Sequence, residues 1–264
     1  MMDVRTIEIS GSGLTAAQTG AGPDLLVIHS LLADRAAFDA VLPWLAERFR
    51  VTLVNLPGFH GSRVIEPGID AYADHVATVF EGAGIAPGAT VLANGFGGTV
   101  ALAMVLRHPS LVGRMVLSDA AAGFPPAGAD AFRIMAEKVT TEGIASVATI
   151  SANRVFHPAY LAQHPEAVDE RRAVLLAMQP AAFVAACRTL MGTDLVPELG
   201  RIQVPTLVVC GELDAATPPA LCRQIADGVP GATYVELPGC GHCPPLEQPE
   251  AFIAAVRDFL AAAA

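Results

Sequence analysis

Positive charge is scarce in this chain of 264 residues. Only 16 residues are Lys or Arg, they form no basic run, and the formal net charge at pH 7 is −10. A groove that neutralises nucleic-acid phosphates needs clustered cations, so we expect no nucleic-acid partner. Charged residues make up only 16% of the chain and hydrophobic residues 53%. This balance excludes global disorder and predicts a large core.

A disulfide framework and an apolar secretory segment are also missing. The five cysteines are odd in number and lie in the C-terminal third, and the chain begins Met-Met-Asp-Val-Arg. We therefore expect a reducing, cytoplasmic location. Cys240 and Cys243 form a C-x-x-C pair, but no second pair follows, so zinc or redox use is only the minor alternative. We expect no metal, nucleotide or flavin cofactor.

One long stretch lacks charge altogether. No charged residue lies between Glu81 and Arg107, a length that could span a bilayer. Glycine and proline interrupt the stretch repeatedly, so we interpret it as a loop, a strand, a turn and a buried helix. We therefore expect no membrane partner. The interrupting residues are Gly84, Pro87, Gly88, Gly95, Gly97 and Gly98.

Short apolar runs alternate with helical patterns along most of the chain. Continuous apolar runs separated by helices are typical of a parallel sheet covered on both faces, so the sequence predicts an α/β fold. The predicted strands are residues 4–9, 14–19, 24–29, 51–55, 90–94, 114–119, 206–210 and 233–237. The predicted helices are residues 38–49, 71–83, 98–107, 221–228 and 249–262.

The alternation stops between about Gly123 and Arg201, where helical patterns are broken by several prolines. We predict a helical lid at residues 123–198, inserted into a core formed by residues 1–122 and 199–264. A lid suits this place because open α/β sheets bind ligands at the carboxyl ends of their strands. Additional packing is the alternative role for the insertion.

A glycine-rich turn joins the predicted strand 90–94 to the helix 98–107. The segment Asn94-Gly95-Phe96-Gly97-Gly98 has the strand-to-helix context of a nucleophile elbow, normally Gly-x-Ser-x-Gly. Small neighbours let strand and helix pass closely, and amides at the helix N-terminus can hold an oxyanion. The central residue of such a turn takes a positive φ, which we predict for Gly95.

Several motifs together resemble the α/β-hydrolase family over residues 5–262. His29-Ser30-Leu31-Leu32 looks like the family's His-Gly oxyanion loop, and residues 55–62 are similar to its Asp-x-Pro-Gly-x-Gly-x-Ser segment. The resemblance implies an eight-stranded, mostly parallel twisted sheet with helices on both faces and a helical lid. It also implies a triad acid, a triad histidine and two oxyanion-hole amides, which it places on Asp214, His242, Leu31 and Phe96.

The nucleophile position departs from that pattern, because Gly95 has no side chain that could attack a substrate. Either a serine was replaced by engineering, or the glycine is native and the chemistry has no covalent step. Asn94 and Gly97-Gly98 resemble the elbow of enol-lactonases and of meta-cleavage carbon–carbon hydrolases. By spacing and context, Thr99, Cys210 and Cys243 are poor replacement nucleophiles.

The sequence therefore predicts an esterase-like or lactonase-like hydrolase acting on a small ester, lactone or activated ketone. An imidazole oriented by a carboxylate could activate water above Gly95. A lyase or isomerase using His242 as a base, and a catalytically silent binder of a small ligand, stay open. The partner expected is a small-molecule substrate, and a homodimer is compatible with the sequence. Candidate substrate-binding residues are Ser30, Asn94, Arg154, His157 and Arg188, the last three for a substrate carboxylate.

Overall fold

A computed structural model describes residues 4–262, so residues 1–3 and 263–264 of the predicted core lie outside the described residues. The strands are β1 (Arg5–Ile9), β2 (Leu14–Thr19), β3 (Asp24–Ile28), β4 (Arg50–Asn55), β5 (Ala89–Asn94), β6 (Val112–Ser118), β7 (Thr206–Gly211) and β8 (Thr233–Leu237). They form one sheet in the order β1-β2-β4-β3-β5-β6-β7-β8. β2 runs antiparallel to both neighbours, and all other neighbouring pairs are parallel. The predicted eight-stranded, mostly parallel sheet is confirmed.

Helices connect most of the strands. They are α1 (Leu42–Ala46), α2 (Ile69–Gly82), α3 (Phe96–Arg107), α4 (Pro126–Glu142), α5 (Ala145–Val155), α6 (Pro158–Gln163), α7 (Glu166–Ala177), α8 (Pro180–Gly192), α9 (Pro219–Gly228), α10 (Pro244–Glu247) and α11 (Pro249–Ala261). Short 3-10 turns occur at Arg35–Phe38 and Val196–Arg201. Within residues 4–262 no single helix has both the length and the apolar composition to cross a bilayer; α7 and α8 meet that test only as a pair bent by 99°.

The sheet is buried on both faces, which explains its continuous apolar strands. Leu26 and Ile28 of β3 pack into the cluster that contains α2 and α3. Leu25 and Val27 point to the other face, where α1 and α11 cover the sheet. Neighbouring side chains of a strand point in opposite directions, so both sets must be apolar.

The predicted single helix over residues 38–49 is wrong. The structure has the 3-10 turn Arg35–Phe38 followed by the short helix α1. Pro43 lacks an amide hydrogen and is tolerated only in the first turn of a helix, so the chain restarts helix formation next to it. The apolar spacing that suggests one helix exists because both pieces bury side chains against the same face of the sheet.

The chain makes a long helical excursion between β6 and β7. This excursion contains α4, α5, α6, α7 and α8, in agreement with the absence of a predicted strand there. An isolated antiparallel bridge between Gly123 and Asp194 joins its two ends. That residues 123–198 act as a separate lid stays a prediction.

Strand β5 passes into α3 with very little space around the turn. A Cβ on Gly97 would lie 2.6 Å from the carbonyl oxygens of Ile28 and His29, and a Cβ on Gly98 would lie 2.4 Å from the Cβ of Ala120. Both positions therefore need glycine. The close approach brings the N-terminus of α3 against the loop that follows β3.

Candidate active site

His242 and Asp214 form a buried hydrogen-bonded pair beyond the carboxyl ends of β7 and β8. His242 Nδ1 lies 2.8 Å from Asp214 Oδ2. Asp214 Oδ1 accepts hydrogen bonds from the amides of Ala216 (2.7 Å) and Thr217 (2.9 Å), which fix the carboxylate. In the neutral tautomer that donates its Nδ1 hydrogen to Asp214, Nε2 is a hydrogen-bond acceptor. The two residues to which the resemblance assigns the triad acid and histidine therefore lie within hydrogen-bond distance.

Asn94 anchors the loop that carries His242 to the end of strand β5. It ends β5, and its Nδ2 donates to the carbonyl oxygens of Ser118 and His242, both at 3.2 Å. The His242 amide donates in turn to the carbonyl of Val155 at 2.9 Å. The loop that carries the imidazole is therefore held to the sheet and to the end of α5.

Gly95 lies at the elbow with φ 53° and ψ −120°, so its predicted positive φ is confirmed. The space that a side chain would occupy is already filled. A Cβ on Gly95 would lie 2.2 Å from Ser30 Oγ and 3.0 Å from His242 Nε2. The elbow of this chain is thus shaped around glycine and around the neighbouring hydroxyl.

Ser30 is the side chain that faces the imidazole. Its Oγ lies 3.3 Å from His242 Nε2 and is buried in the loop after β3. His29 fixes this loop: its Nδ1 donates to the Ser30 carbonyl at 2.8 Å, and its Nε2 accepts from the Leu56 amide at 3.0 Å. Burial lowers the pKa of His29 to about 4, so its ring is neutral at pH 7 and can donate and accept at once.

A mostly apolar cavity lies above Gly95 and His242. It is partly open to solvent, and apolar pockets with a few convergent polar groups are the usual binding places of small organic molecules. Its apolar lining comes from the sheet loops and from α4 and α8, and includes Leu31, Leu32, Phe96, Ala121, Phe124, Ala131, Phe132, Met135 and Leu190. The polar side chains that line it are Ser30, Thr99, Arg154, Thr217 and His242.

The structure brings two of the five candidate substrate-binding residues to this cavity, Ser30 and Arg154. Arg154 is partly buried, and its Nη2 donates to the Ala215 carbonyl at 3.1 Å. The other three have different positions. Asn94 lies beneath the histidine loop, as described above. His157 caps α6 by accepting a hydrogen bond from the Ala159 amide at 3.2 Å. Arg188 is exposed on α8 beside Arg133 and Glu137, because α8 turns other residues towards the cavity.

The other potential nucleophiles are engaged or inert. Thr99 Oγ1 donates to the Ala121 carbonyl at 2.9 Å. Burial raises the pKa of the Cys243 thiol to about 12 and also raises the pKa of Cys240. Cys210 is fully buried beneath the site. The surroundings of Cys240 and Cys243 therefore favour neutral thiols over the thiolates that attack carbonyls or bind zinc.

Asp119 is a buried carboxyl that the sequence reasoning missed. It follows β6 with φ 51°, and its Oδ1 accepts from the Gly211 amide at 2.8 Å. Burial, and then the nearby Asp214, raise the pKa of Asp119 well above its ordinary value. Ligand atoms of Asp119, Cys210 and Asp214 lie within 4.8 Å of one another, but amides already occupy carboxyl oxygens of both acids. A buried strand that ends in Ser118-Asp119 is the sequence signal that points to this group.

Glu247 holds the loop before His242, and its ionisation makes the stability of the fold depend on pH. Its Oε1 accepts from the Gly241 amide at 2.9 Å, next to His242, and burial raises its pKa from 4.5 to about 7. The folded protein therefore holds this proton more tightly than the unfolded chain, so stability falls as pH rises from about 4.5 to about 7 and then levels off.

We expect the free energy of unfolding of Glu247→Gln to vary less between pH 5 and 8 than that of the unmodified protein. Between pH 5 and 8, the unfolding free energy of the variant should change by about 2 kcal/mol less than that of the unmodified protein, after allowance for solvent screening. Denaturant unfolding at several pH values measures it, with exposed Glu250→Gln as the matched control. Parallel pH profiles for Glu247→Gln and the unmodified chain would contradict this account.

The fold and the site together define an alpha/beta hydrolase. Residues 25–255 match the profile of the Alpha/beta hydrolase family, and the chain belongs to this family. The relatives described next carry the names of hydrolases, in agreement with the class predicted from the sequence.

One relative is the pimeloyl-[acyl-carrier protein] methyl ester esterase of Nitrosomonas europaea. It is 29% identical over 248 residues, which cover 89% of this chain and 94% of the relative. Among solved structures, the enol-lactonase from Burkholderia xenovorans LB400 has a TM-score of 0.88 at 26% identity and covers 97% of this chain and 100% of its own. A thermophilic esterase from Thermogutta terrifontis has a TM-score of 0.87 at 28% identity and covers 98% of both chains.

Proposed function

We propose that this chain hydrolyses a small carboxylic ester or lactone with an apolar body, and that His242 is the general base. The observation that carries this proposal is the orientation of the imidazole. Its Nδ1 is held 2.8 Å from Asp214, and its Nε2 lies beside Ser30 and Gly95 at the floor of an apolar cavity. A base in this state can take a proton from a hydroxyl or a water.

We propose that the amides of Leu31 and Phe96 stabilise the oxyanion of the tetrahedral intermediate. Phe96 is the first residue of α3, where helix amides have no acceptor within the helix and the helix dipole is positive. Leu31 follows Ser30, and both Leu31 and Phe96 line the cavity. One oxyanion donor typically contributes about 10²–10³-fold to kcat, and general base catalysis about 10²–10⁴-fold.

The first test is hydrolysis of activated aryl esters and lactones. We expect turnover by the unmodified chain and a loss of about 10²–10⁴-fold in kcat/KM for His242→Ala. The exposed His164→Ala is the matched control and should keep full activity.

Two other results would overturn the proposal. A folded protein that yields no His242-dependent product, but is stabilised by one ligand, would be a silent binder. Solvent deuterium exchange into a β-diketone without hydrolysis, lost in His242→Ala, would indicate a lyase or isomerase.

The positive charge of Arg154 favours negatively charged substrates within this class. Among the described residues that line the cavity it carries the permanent positive charge, and it lies on the side formed by the helical excursion. We therefore propose that the substrate carries a carboxylate at the end remote from the scissile bond. We expect Arg154→Gln to raise KM about tenfold for the half-ester of a dicarboxylic acid, the effect of losing one charge-assisted hydrogen bond.

The specificity of the Arg154 effect can be checked with two controls. A neutral ester of equal length should keep its KM, and Arg188→Gln, which lies outside the cavity, should leave both substrates unaffected. Equal KM changes for the charged and the neutral ester would show that Arg154 does not bind a carboxylate.

A further inference from the structure

We propose that Ser30 is the nucleophile of this chain, so that the reactive hydroxyl comes from the loop after β3 instead of the elbow. This inference rests on the proposed ester hydrolysis. Compared with the family pattern, serine and glycine have changed places between the loop after β3 and the elbow after β5. That pattern has glycine after the histidine of the oxyanion loop and serine at the elbow, whereas this chain has Ser30 and Gly95.

The Ser30 hydroxyl and a side chain at position 95 would compete for the same space. The position of a Cβ on Gly95 lies only 2.2 Å from Ser30 Oγ, so the hydroxyl occupies the place where an elbow side chain would begin. Real Cβ atoms do not approach other atoms so closely, and the two side chains therefore exclude each other at this point. Glycine at 95 is thus the counterpart of serine at 30.

The hydroxyl is also connected to the base. Ser30 Oγ lies 3.3 Å from His242 Nε2, the nitrogen left free by the Asp214 hydrogen bond. Nucleophile–base distances are often somewhat long when no substrate is bound. Ser30, His242 and Asp214 thus form a continuous chain of a hydroxyl, an imidazole and a carboxylate. Because His29 holds the carbonyl of Ser30, the backbone beneath the hydroxyl is fixed.

In this proposal the oxyanion donors are the backbone amides of Leu31 and Phe96. In a nucleophile elbow, the amide of the residue after the nucleophile is one of the two donors. Leu31 stands in that relation to Ser30, and the Phe96 amide at the start of α3 supplies the second donor. The elbow would then contribute only its amide and the positive end of its helix.

Hydrolysis through Ser30 proceeds in two steps, acylation of Ser30 and hydrolysis of the acyl-enzyme. Ser30 Oγ attacks the ester carbonyl carbon while its proton passes to His242 Nε2. The intermediate then collapses, the C–O bond to the leaving group breaks, and the leaving oxygen takes that proton. Water next attacks the acyl–Ser30 ester and gives a proton to His242. Release of the acid returns a proton to Ser30 Oγ. In the alternative, Ser30 only orients a water, and no acyl-enzyme forms.

Covalent labelling tests the inference without any knowledge of the substrate. After treatment with phenylmethylsulfonyl fluoride, we expect peptide mass spectrometry to find the adduct on Ser30. The adduct should be absent in Ser30→Ala and His242→Ala and present in Ser10→Ala, which changes an exposed serine. Failure to label Ser30 in the folded chain, while another residue is labelled or none is, would overturn the assignment.

Kinetics then separate nucleophilic attack from the orientation of water. We expect Ser30→Ala to lose about 10³-fold or more in kcat on an activated ester. With methanol present, one acyl group carried on different leaving groups should give one constant ratio of methyl ester to acid, because all pass through the same acyl-enzyme. A ratio that changes with the leaving group, or a Ser30→Ala variant that keeps nearly full activity, would overturn the inference.

The double variant Ser30→Gly/Gly95→Ser provides the rescue. It moves the hydroxyl back to the elbow, and we expect it to recover much of the activity lost in Ser30→Ala, with the label found at position 95. If His242→Ala is inactive while Ser30→Ala is active, the proposed ester hydrolysis stands and the nucleophile assignment fails. If the unmodified chain hydrolyses no ester but Ser30 is labelled, the proposed substrate class fails instead.

Discussion

Replacing Asp214 by asparagine should lower kcat/KM on an activated ester by about 10⁴-fold without unfolding the protein. The amide oxygen can keep the hydrogen bonds that Asp214 Oδ1 accepts from Ala216 and Thr217. The amide NH₂ would then replace the oxygen that faces His242 Nδ1. A donor at this position favours the tautomer with hydrogen on Nε2, and that nitrogen can no longer accept a proton.

The neighbouring carboxyl offers a matched control for Asp214→Asn. Asp119→Asn makes the same change in a neighbouring carboxyl whose pKa burial raises well above its ordinary value, and the amide can still accept from Gly211. We expect it to change kcat/KM by less than about tenfold. If both variants lost activity equally, general damage to the buried acids, not the tautomer of His242, would explain the result. Circular dichroism and melting temperature establish that each variant is folded.

The single substitution Gly95→Ser should lower activity by about 10²-fold, because displacement of a reacting group by about 1 Å has an effect of this size. The added Cβ would lie 2.2 Å from Ser30 Oγ and must push that hydroxyl away from His242. On sequence alone, the same change could instead have repaired an engineered lesion. The filled space at the elbow favours glycine as the residue for which this site is built.

Ester hydrolysis by Gly95→Ser, compared with the unmodified chain, measures this effect. Gly192→Ser is the matched control because open space surrounds a Cβ at that position. A gain of several orders of magnitude in Gly95→Ser, with Ser30 left in place, would show that the elbow has lost its serine and that Ser30 plays no covalent part.

The sheet could be predicted from the sequence because burial on both faces leaves each central strand as an unbroken apolar run. Residues 51–55 and 90–94 illustrate this, since both lie within observed strands. The segment 38–49 could not be predicted in this way. Apolar spacing reports which side of a segment is buried, and it does not distinguish one helix from two short pieces that share the same side.

The resemblance to family motifs identified Asp214 and His242, and the sheet topology explains why they meet. Asp214 and His242 follow neighbouring parallel strands, and the carboxyl ends of such strands meet at one edge of the sheet. The contact between Ser30 and Gly95 depends on how closely two loops approach, and no local pattern encodes that distance. The helical excursion raises a similar difficulty, because Arg154 and Arg188 are distinguished only by the helix faces that pack inwards.

The bridge between Gly123 and Asp194 has a consequence for how the binding cavity can diverge between related enzymes. Because the ends of the excursion are joined, adding residues inside it only lengthens a loop that is already closed. Doubling a flexible loop costs only about 0.6 kcal/mol in closure entropy. Insertions in the turns between the helices of the excursion should therefore cost the sheet little stability, whereas its helices contribute side chains to the core and α5 holds the His242 loop. Changes confined to those turns can alter the rim of the cavity while the residues on the sheet loops stay in place.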